Sequence, residues 1–406
     1  MNTSTTSTTP TATTATAAPT ITPTVALLET LIGFPSVSRT PNDALIQKVR
    51  DVLAAAGIES MLAPDPEDPT RTNLFASVGP EGVPGVLLSG HTDVVPAAGQ
   101  TWTSPPFEAT HRDGRLYGRG SSDMKGFVAC AVTAMVAAAG KPLKRPLQIA
   151  LSFDEEIGCV GVRHLLRRLE KSLPAPYLCI VGEPTLMRIG TGHKGKAAYR
   201  AMCCGQAGHS GMAPRFVNAV HMAADLVASM REVQRELADD GHRDEGYGVP
   251  YSTVHVGTIH GGRALNIVPA ECEVSFEIRN IAQDAPADIL ARVMARLAER
   301  TARDAVHAEA PLPQVQLDSI YPSLNTAEDS PAVRLLGSLL PPGTPCTRVD
   351  YGTEGGLFRQ SWNDTPVLVC GPGSIEVAHK ADEYVELSQI EACDRMLAGL
   401  VDFLAR

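Results

Sequence analysis

His91 and Asp93, with one residue between them, follow a short apolar run, Gly85-Val-Leu-Leu-Ser-Gly90. Asp154-Glu155-Glu156 follows a second, Leu147-Gln-Ile-Ala-Leu-Ser-Phe153, and Gly182-Glu183 follows a third, Tyr177-Leu-Cys-Ile-Val181. A fourth run, Pro366-Val-Leu-Val-Cys370, leads through Gly371-Pro372-Gly373 to His379, and Asp123 ends the turn Gly118-Arg-Gly-Ser-Ser-Asp123. Two imidazoles and three or four carboxylates, with no thiolate among them, suit borderline or hard divalent metals such as zinc, cobalt or manganese. A carboxylate has two oxygens and can bridge two ions, which two-metal hydrolases hold roughly 3.5–4 Å apart. Such ions polarise a carbonyl and acidify a bound water, leaving one carboxylate free to manage the proton. Adjacent side chains usually diverge, so one of Glu155-Glu156 can bind metal while the other faces a substrate as general base. Asp93 stands where it can accept the second ring N–H of His91 or orient it.

Taken singly, each piece has a plainer explanation. A His-x-Asp is more often a surface pair, and Asp-Glu-Glu a solvated acidic turn. Glu183 before Pro184 also suits a helix start. Gly118-Arg-Gly120 lacks the third glycine and the lysine of a phosphate-binding loop. The joint arrangement decides between these readings. Ligands of open α/β sheets bind beyond the carboxyl ends of the strands, and here four apolar runs deliver imidazole or carboxylate groups to that edge.

The elements that must position these groups are legible in outline. Apolar runs of this length suit strands buried on both faces, as in a largely parallel sheet covered by helices. Residues 124–139 are Ala-rich and closed by Gly140, which predicts a buried helix with a glycine cap. From about Lys194 the texture changes. Cys272, Val274, Phe276 and Ile278 alternate with Glu271, Glu273, Ser275, Glu277 and Arg279, a strand wet on one face. Residues 216–237 and 289–297 have helical period. A β-α-β-β-α-β, ferredoxin-like α+β module inserted into an α/β domain fits this order. The expected layout is a disordered threonine-rich tail over 1–24, the first part of the α/β domain over 25–192, the inserted module over 193–320 and the second part of the α/β domain over 321–406.

Composition excludes other classes. The 406 residues carry 35 Lys+Arg against 45 Asp+Glu, a formal net charge of −10, which argues against a nucleic-acid partner because phosphate binding needs a clustered cationic surface. The longest apolar stretch, 127–140, is shorter than the roughly 18 residues of a membrane span. Nine cysteines, an odd number with no CxxC pair, point to reduced, mostly buried thiols in a cytoplasmic protein. The first 24 residues hold 12 threonines and no charge, so they match neither a secretory signal nor a mitochondrial presequence.

With these residues in place, the chain resembles the di-metal peptidase and deacylase family M20. The motifs are Ser89-Gly-His91-Thr-Asp93-Val-Val-Pro96, Gly118-Arg-Gly-Ser-Ser-Asp123-Met-Lys-Gly126, Asp154-Glu-Glu156 and Gly182-Glu183-Pro-Thr185. Two late motifs, Gly352-Thr-Glu354-Gly-Gly356 and Gly371-Pro-Gly-Ser-Ile-Glu-Val-Ala-His379-Lys-Ala-Asp-Glu-Tyr384, resemble its acetylornithine deacetylase subgroup. The resemblance implies one ion, zinc or cobalt, on His91, Asp123 and Glu183, and a second on Asp123, Glu156 and His379. It implies Glu155 as general base, and Asp93, orienting His91, is counted with it among the catalytic residues. The inserted module becomes a lid and dimerisation domain, whose His209 in Gly208-His209-Ser210 reaches across a homodimer to the oxyanion, a job for fixed donors. Asn266 and Arg279 match positions that hold a substrate carboxylate, and Glu354 matches either a receiver of the ornithine δ-amino group or a structural hydrogen-bonding residue. Lys196 and Lys380 depart from the subgroup pattern. The implied reaction is hydrolysis of an N-acetyl-L-amino acid, N2-acetyl-L-ornithine foremost, as in arginine biosynthesis. The alternatives within the family are a desuccinylase acting on succinyl-diaminopimelate, an acetylcitrulline deacetylase, an aminoacylase or a dipeptidase.

Overall fold

The computed structural model describes residues 21–303, 306, 310–363 and 365–406. The four apolar runs form the strands Val86–His91, Leu147–Ser152, Leu178–Pro184 and Val367–Gly371, every residue of them buried. Val86–His91 lies parallel to Leu147–Ser152 on one side and to Leu178–Pro184 on the other, and Val367–Gly371 lies parallel to Leu178–Pro184. The four therefore point the same way and share one carboxyl edge. Antiparallel strands Ser60–Pro64 and Thr72–Val78 extend the sheet on one flank. On the other flank stand Ile189–His193, Leu324–Asn325 and Cys346–Val349, giving nine strands in all among the described residues.

The central helix is shorter than the expected 124–139. It runs Gly126–Ala138, and residues 121–125 form one wide turn in which Asp123 (φ −122°, ψ 94°) and Met124 leave helical geometry. Gly140 follows at φ 77°, the left-handed close that glycine permits. The expected disordered tail also ends earlier than residue 24. The Thr22 hydroxyl accepts the Val25 N–H at 3.2 Å and opens the helix Pro23–Ile32, whose Val25, Leu28, Leu31 and Ile32 are buried. A capping threonine followed by proline is a helix start, and the surrounding threonines hid it. Residues 1–20 of that expectation lie outside the described residues.

The inserted segment folds in the expected order, through Gly195–Cys204, Ala219–Asp240, Thr253–Gly261, Glu271–Asn280, Pro286–Thr301 and Gln314–Tyr321. Its four strands form a separate antiparallel sheet with Glu271–Asn280 and Gly195–Cys204 in the middle. Cys272, Val274, Phe276 and Ile278 face the module's own core. The first helix begins three residues after the expected 216, because the Asn218 side chain accepts the N–H groups of Val220 and His221.

The sheet and the central helix are in very close contact beside the carboxyl edge. A Cβ on Gly182 would lie 1.9 Å from the Phe127 ring of that helix, and one on Gly371 would lie 2.0 Å from the Gly182 carbonyl oxygen. Overpacking a buried contact of this kind costs about 1–3 kcal/mol. Gly182→Ala is therefore expected to lower the unfolding free energy by at least about that amount in a denaturant titration; an unchanged midpoint would show that the ring moves aside freely.

Candidate metal centre

The shared edge gathers the ligand candidates into two groups of three, His91–Asp123–Glu183 and Asp123–Glu156–His379, with the ligand atoms of each group within 4.8 Å of one another. Asp123 belongs to both. Its Oδ1 lies 3.0 Å from His91 Nε2, and its Oδ2 lies 3.1 Å from His379 Nε2. His91 Nε2 is also 3.8 Å from Glu183 Oε1, and His379 Nε2 is 3.1 Å from Glu156 Oε2. One carboxylate thus turns a different oxygen to each imidazole, the arrangement that lets it bridge two ions.

The electrostatics test whether this donor set fits cations. Burial pushes Glu183 up, and Asp123 beside it adds to the effect. Burial and Asp123 push Glu156 up to about 6, against the pull of His379. Burial also opposes ionisation of Asp123, yet His379 and His91 hold it well below the usual carboxylate range. Burial would lower His91, but Asp123, Glu183 and Asp93 outweigh it and hold the ring well above the imidazole range. Hydrogen bonds to Asp123 and Glu156 raise His379 to about 10. The clustered carboxylates thus favour the charged form of both imidazoles. A mixed nitrogen and oxygen set of this kind, with its acids crowded and buried, fits two divalent ions.

The groups beside the ligands are fixed more firmly than spacing suggested. His91 Nδ1 lies 2.9 Å from the Asp93 backbone carbonyl, and the Asp93 carboxylate is 3.6 Å away. A carbonyl only accepts, so Nδ1 carries the proton and Nε2 faces the ligand group. The Asp93 carboxylate itself accepts the Glu155 N–H at 3.0 Å and the Ser38 hydroxyl at 2.7 Å. Asp93 therefore orients His91 through its main chain and the Glu155-Glu156 turn through its side chain. The Cys159 thiol donates to Glu155 Oε1 at 3.2 Å, and burial pushes the Glu155 carboxyl well up. Ser38 and Cys159 carried no sequence signal, since they act from neighbouring loops. Glu354 is buried and accepts the Ser89 hydroxyl at 3.0 Å, which fits the structural of its two readings.

The module residues stand apart. His209 is exposed, and its Nδ1 accepts the Gly211 N–H at 3.0 Å. Its neighbour across a β-bridge is Ile267, and the Asn266 carbonyl accepts the Ser210 N–H. Arg279 donates to Tyr321 Oη at 2.7 Å and to Glu277 at 3.0 Å, and Lys196 lies 3.7 Å from Glu277. These contacts of His209, Asn266, Arg279 and Lys196 run to other residues of the module and to Tyr321 at its edge, and to neither ligand group. Lys380 is exposed and donates to the Glu376 carbonyl.

The sequence model of Peptidase family M20/M25/M40 matches residues 87–402. The chain belongs to peptidase family M20. This M20 chain is 33% identical over 386 residues to the acetylornithine deacetylase of Photorhabdus laumondii, covering 94% of this chain and 97% of that one. Its fold is similar to that of aminopeptidase PepT from Bacillus cereus, with a TM-score of 0.75 at 16% identity, covering 95% and 98% of the two chains. It is also similar to the YXEP protein of Bacillus subtilis, a dinuclear metal binding peptidase of the M20 family, with a TM-score of 0.65 at 14% identity over 94% and 97%. As an M20 member, the chain is a metal-dependent amide hydrolase.

Metal ligation needs neutral imidazoles, and His379, raised to about 10, is protonated at neutral pH. Binding is therefore expected to release protons, and apparent affinity to weaken as pH falls below about 10. Calorimetric titration of zinc into metal-free protein near neutral pH, in buffers of different ionisation enthalpy, is expected to give about one or more protons released. A buffer-independent enthalpy would contradict this account of the site.

Proposed function

We propose that this M20 hydrolase deacetylates an N-acetyl-L-amino acid, foremost N2-acetyl-L-ornithine, to acetate and the free amino acid in the cytoplasm, as a step of arginine biosynthesis. The convergence of two three-ligand groups on the one carboxylate of Asp123 carries the reading. The identity with acetylornithine deacetylase along almost the whole chain supports the substrate.

In this reading His91, Asp123 and Glu183 hold one ion and Asp123, Glu156 and His379 the other, zinc or cobalt in each. When bound, the pair supplies Lewis-acid polarisation of the amide carbonyl and a water acidic near neutral pH. The protein's own groups handle the proton. Glu155, buried and pushed up, takes a proton from the attacking water and returns it to the departing amine nitrogen, which a base with an elevated pKa does in both directions. Asp93 holds the backbone of Glu155, and Cys159 holds its Oε1. Glu156 faces His379 instead, so the two adjacent acids have different partners.

His209 has the form an oxyanion donor needs. Its Nδ1 is occupied as acceptor, so the proton sits on Nε2, on an exposed loop. It serves the site of a second protomer. The edge strand Thr253–Gly261 pairs on one side only among the described residues, and Ile259, Leu265 and Ile267 around it are exposed. An unpaired edge flanked by apolar side chains is a ready interface, which supports a homodimer through the module. Arg279 and Asn266 are the module's candidates for the substrate carboxylate, Arg279 by exchanging Glu277 for it.

Glu155→Ala is expected to keep both ions by elemental analysis while kcat falls by about 10²–10⁴; loss of metal in that variant would defeat the division of roles. Acetate release from acetylornithine should exceed turnover of succinyl-diaminopimelate, acetylcitrulline and dipeptides, and a poor rank for acetylornithine would refute the substrate. Inactive Glu155→Ala and His209→Ala proteins, mixed under subunit exchange, should recover up to about a quarter of wild-type activity. Random exchange makes about half of the dimers mixed, and each mixed dimer holds one complete site. No recovery in isolated mixed dimers would remove the role of His209 in trans.

A further inference from the structure

Asp123 must aim one oxygen at each imidazole, yet it sits in an irregular turn outside any strand or regular helix. A single carboxylate from a distant segment holds that turn. Glu383, 1% exposed, accepts at Oε1 the backbone N–H groups of Ser122 (2.9 Å) and Asp123 (3.0 Å). At Oε2 it accepts the N–H of Gly120 (3.0 Å) and Nη1 of Arg119 (2.7 Å). Three main-chain donors folded around one anion form a backbone nest, and Gly120 permits it by taking φ 82°.

The cation of this pair reaches the other ligand. Arg119, also 1% exposed, lies 5.0 Å over the Trp102 ring and donates to the Lys380 carbonyl at 3.2 Å and to Gln100 Oε1 at 2.6 Å. Gln100 in turn donates to the His379 carbonyl at 2.8 Å. His379 holds φ 62°, a conformation that a non-glycine residue keeps only where its surroundings over-determine it. The Ser122 hydroxyl ties the same two segments once more, accepting the Ser374 N–H at 2.9 Å and donating to the Ser374 carbonyl at 3.1 Å.

We propose that Glu383 and Arg119 are positioning residues of the metal centre: one buried ion pair sets the bridging carboxylate of Asp123 through the nest and His379 through Lys380 and Gln100. The inference rests on reading the two ligand groups as metal sites. Neither residue belongs to a ligand group, and apart from Trp102 and Gln100 their side-chain contacts run to the Asp123 turn and the His379 segment. The pair therefore governs how tightly ions are held, beyond any contribution to folding.

The test uses the full-length chain and two variants. Glu383→Gln keeps the shape but sets amide hydrogens against N–H donors. Gln100→Ala alters the link to His379 and, at a partly exposed position, keeps the fold even where Glu383→Gln does not. Metal-free proteins are titrated with Zn²⁺ by calorimetry, with circular dichroism and thermal unfolding recording the fold. Glu383→Gln is expected to fold and to bind both ions about 10–100-fold more weakly, because Asp123 is shared, with kcat lowered and KM little changed at saturating metal. Gln100→Ala is expected to weaken only the second ion, by at least about threefold. Wild-type affinity for both ions in the folded variants overturns the inference, as does wild-type affinity in Gln100→Ala alone should Glu383→Gln not fold. Failure of the wild type itself to take up two ions defeats the metal-centre reading, a different outcome from two ions held equally by all three proteins.

Discussion

Buried charge of one sign needs its opposite at hand. The interior edge of this protein gathers Asp123, Glu156 and Glu183 around two imidazoles, and much of the structure follows from meeting that requirement. Four parallel strands and the Asp123 turn bring the acids and imidazoles together from separate stretches of chain. The histidines stand between them, raised above the ordinary imidazole range by the company they keep. A pair of divalent cations held by these residues would relieve the same crowding more completely, since each would bring two positive charges.

Such a site works only if its members cannot drift. Four of the five candidate ligands are braced by groups outside the set: Asp93 for His91 and the Glu155-Glu156 turn, Glu383 for the Asp123 turn, Gln100 for His379. The bracing uses backbone donors and acceptors heavily, because main-chain groups have few ways to move. Gly182 serves the same end by letting sheet and helix approach closely beneath the candidate ligands, and Gly371 by letting its strand close on Gly182. The inserted module is built differently. It has its own core and sheet, and its candidate functional side chains lie exposed or paired among themselves.

Much of this is legible in the sequence. The candidate ligand set, the four buried strands and the β-α-β-β-α-β order all follow from residue type and local pattern, because apolar runs and alternation report burial directly. The family motifs added the division of His91, Asp123, Glu156, Glu183 and His379 between two ions, which spacing alone leaves open. The errors are local. Pro23–Ile32 is masked by threonine-rich surroundings, and residues 124–125 read as helix because their composition is compatible with one.

What sequence by itself determined was the inventory: which side chains can ligate, which segments are buried, and where each ligand stands relative to the end of its strand. Those depend on chemistry and on periodicity along the chain, both local. What only the tertiary structure decided was partnership. That the Asp93 carboxylate serves the Glu155 turn while its carbonyl serves His91, that Cys159 touches the general-base candidate, and that Glu383 organises a turn some 260 residues earlier all depend on how the folded chain brings loops and strand ends together. Hydrogen bonds of this kind depend on positions to a fraction of an ångström, and only the folded chain sets those positions.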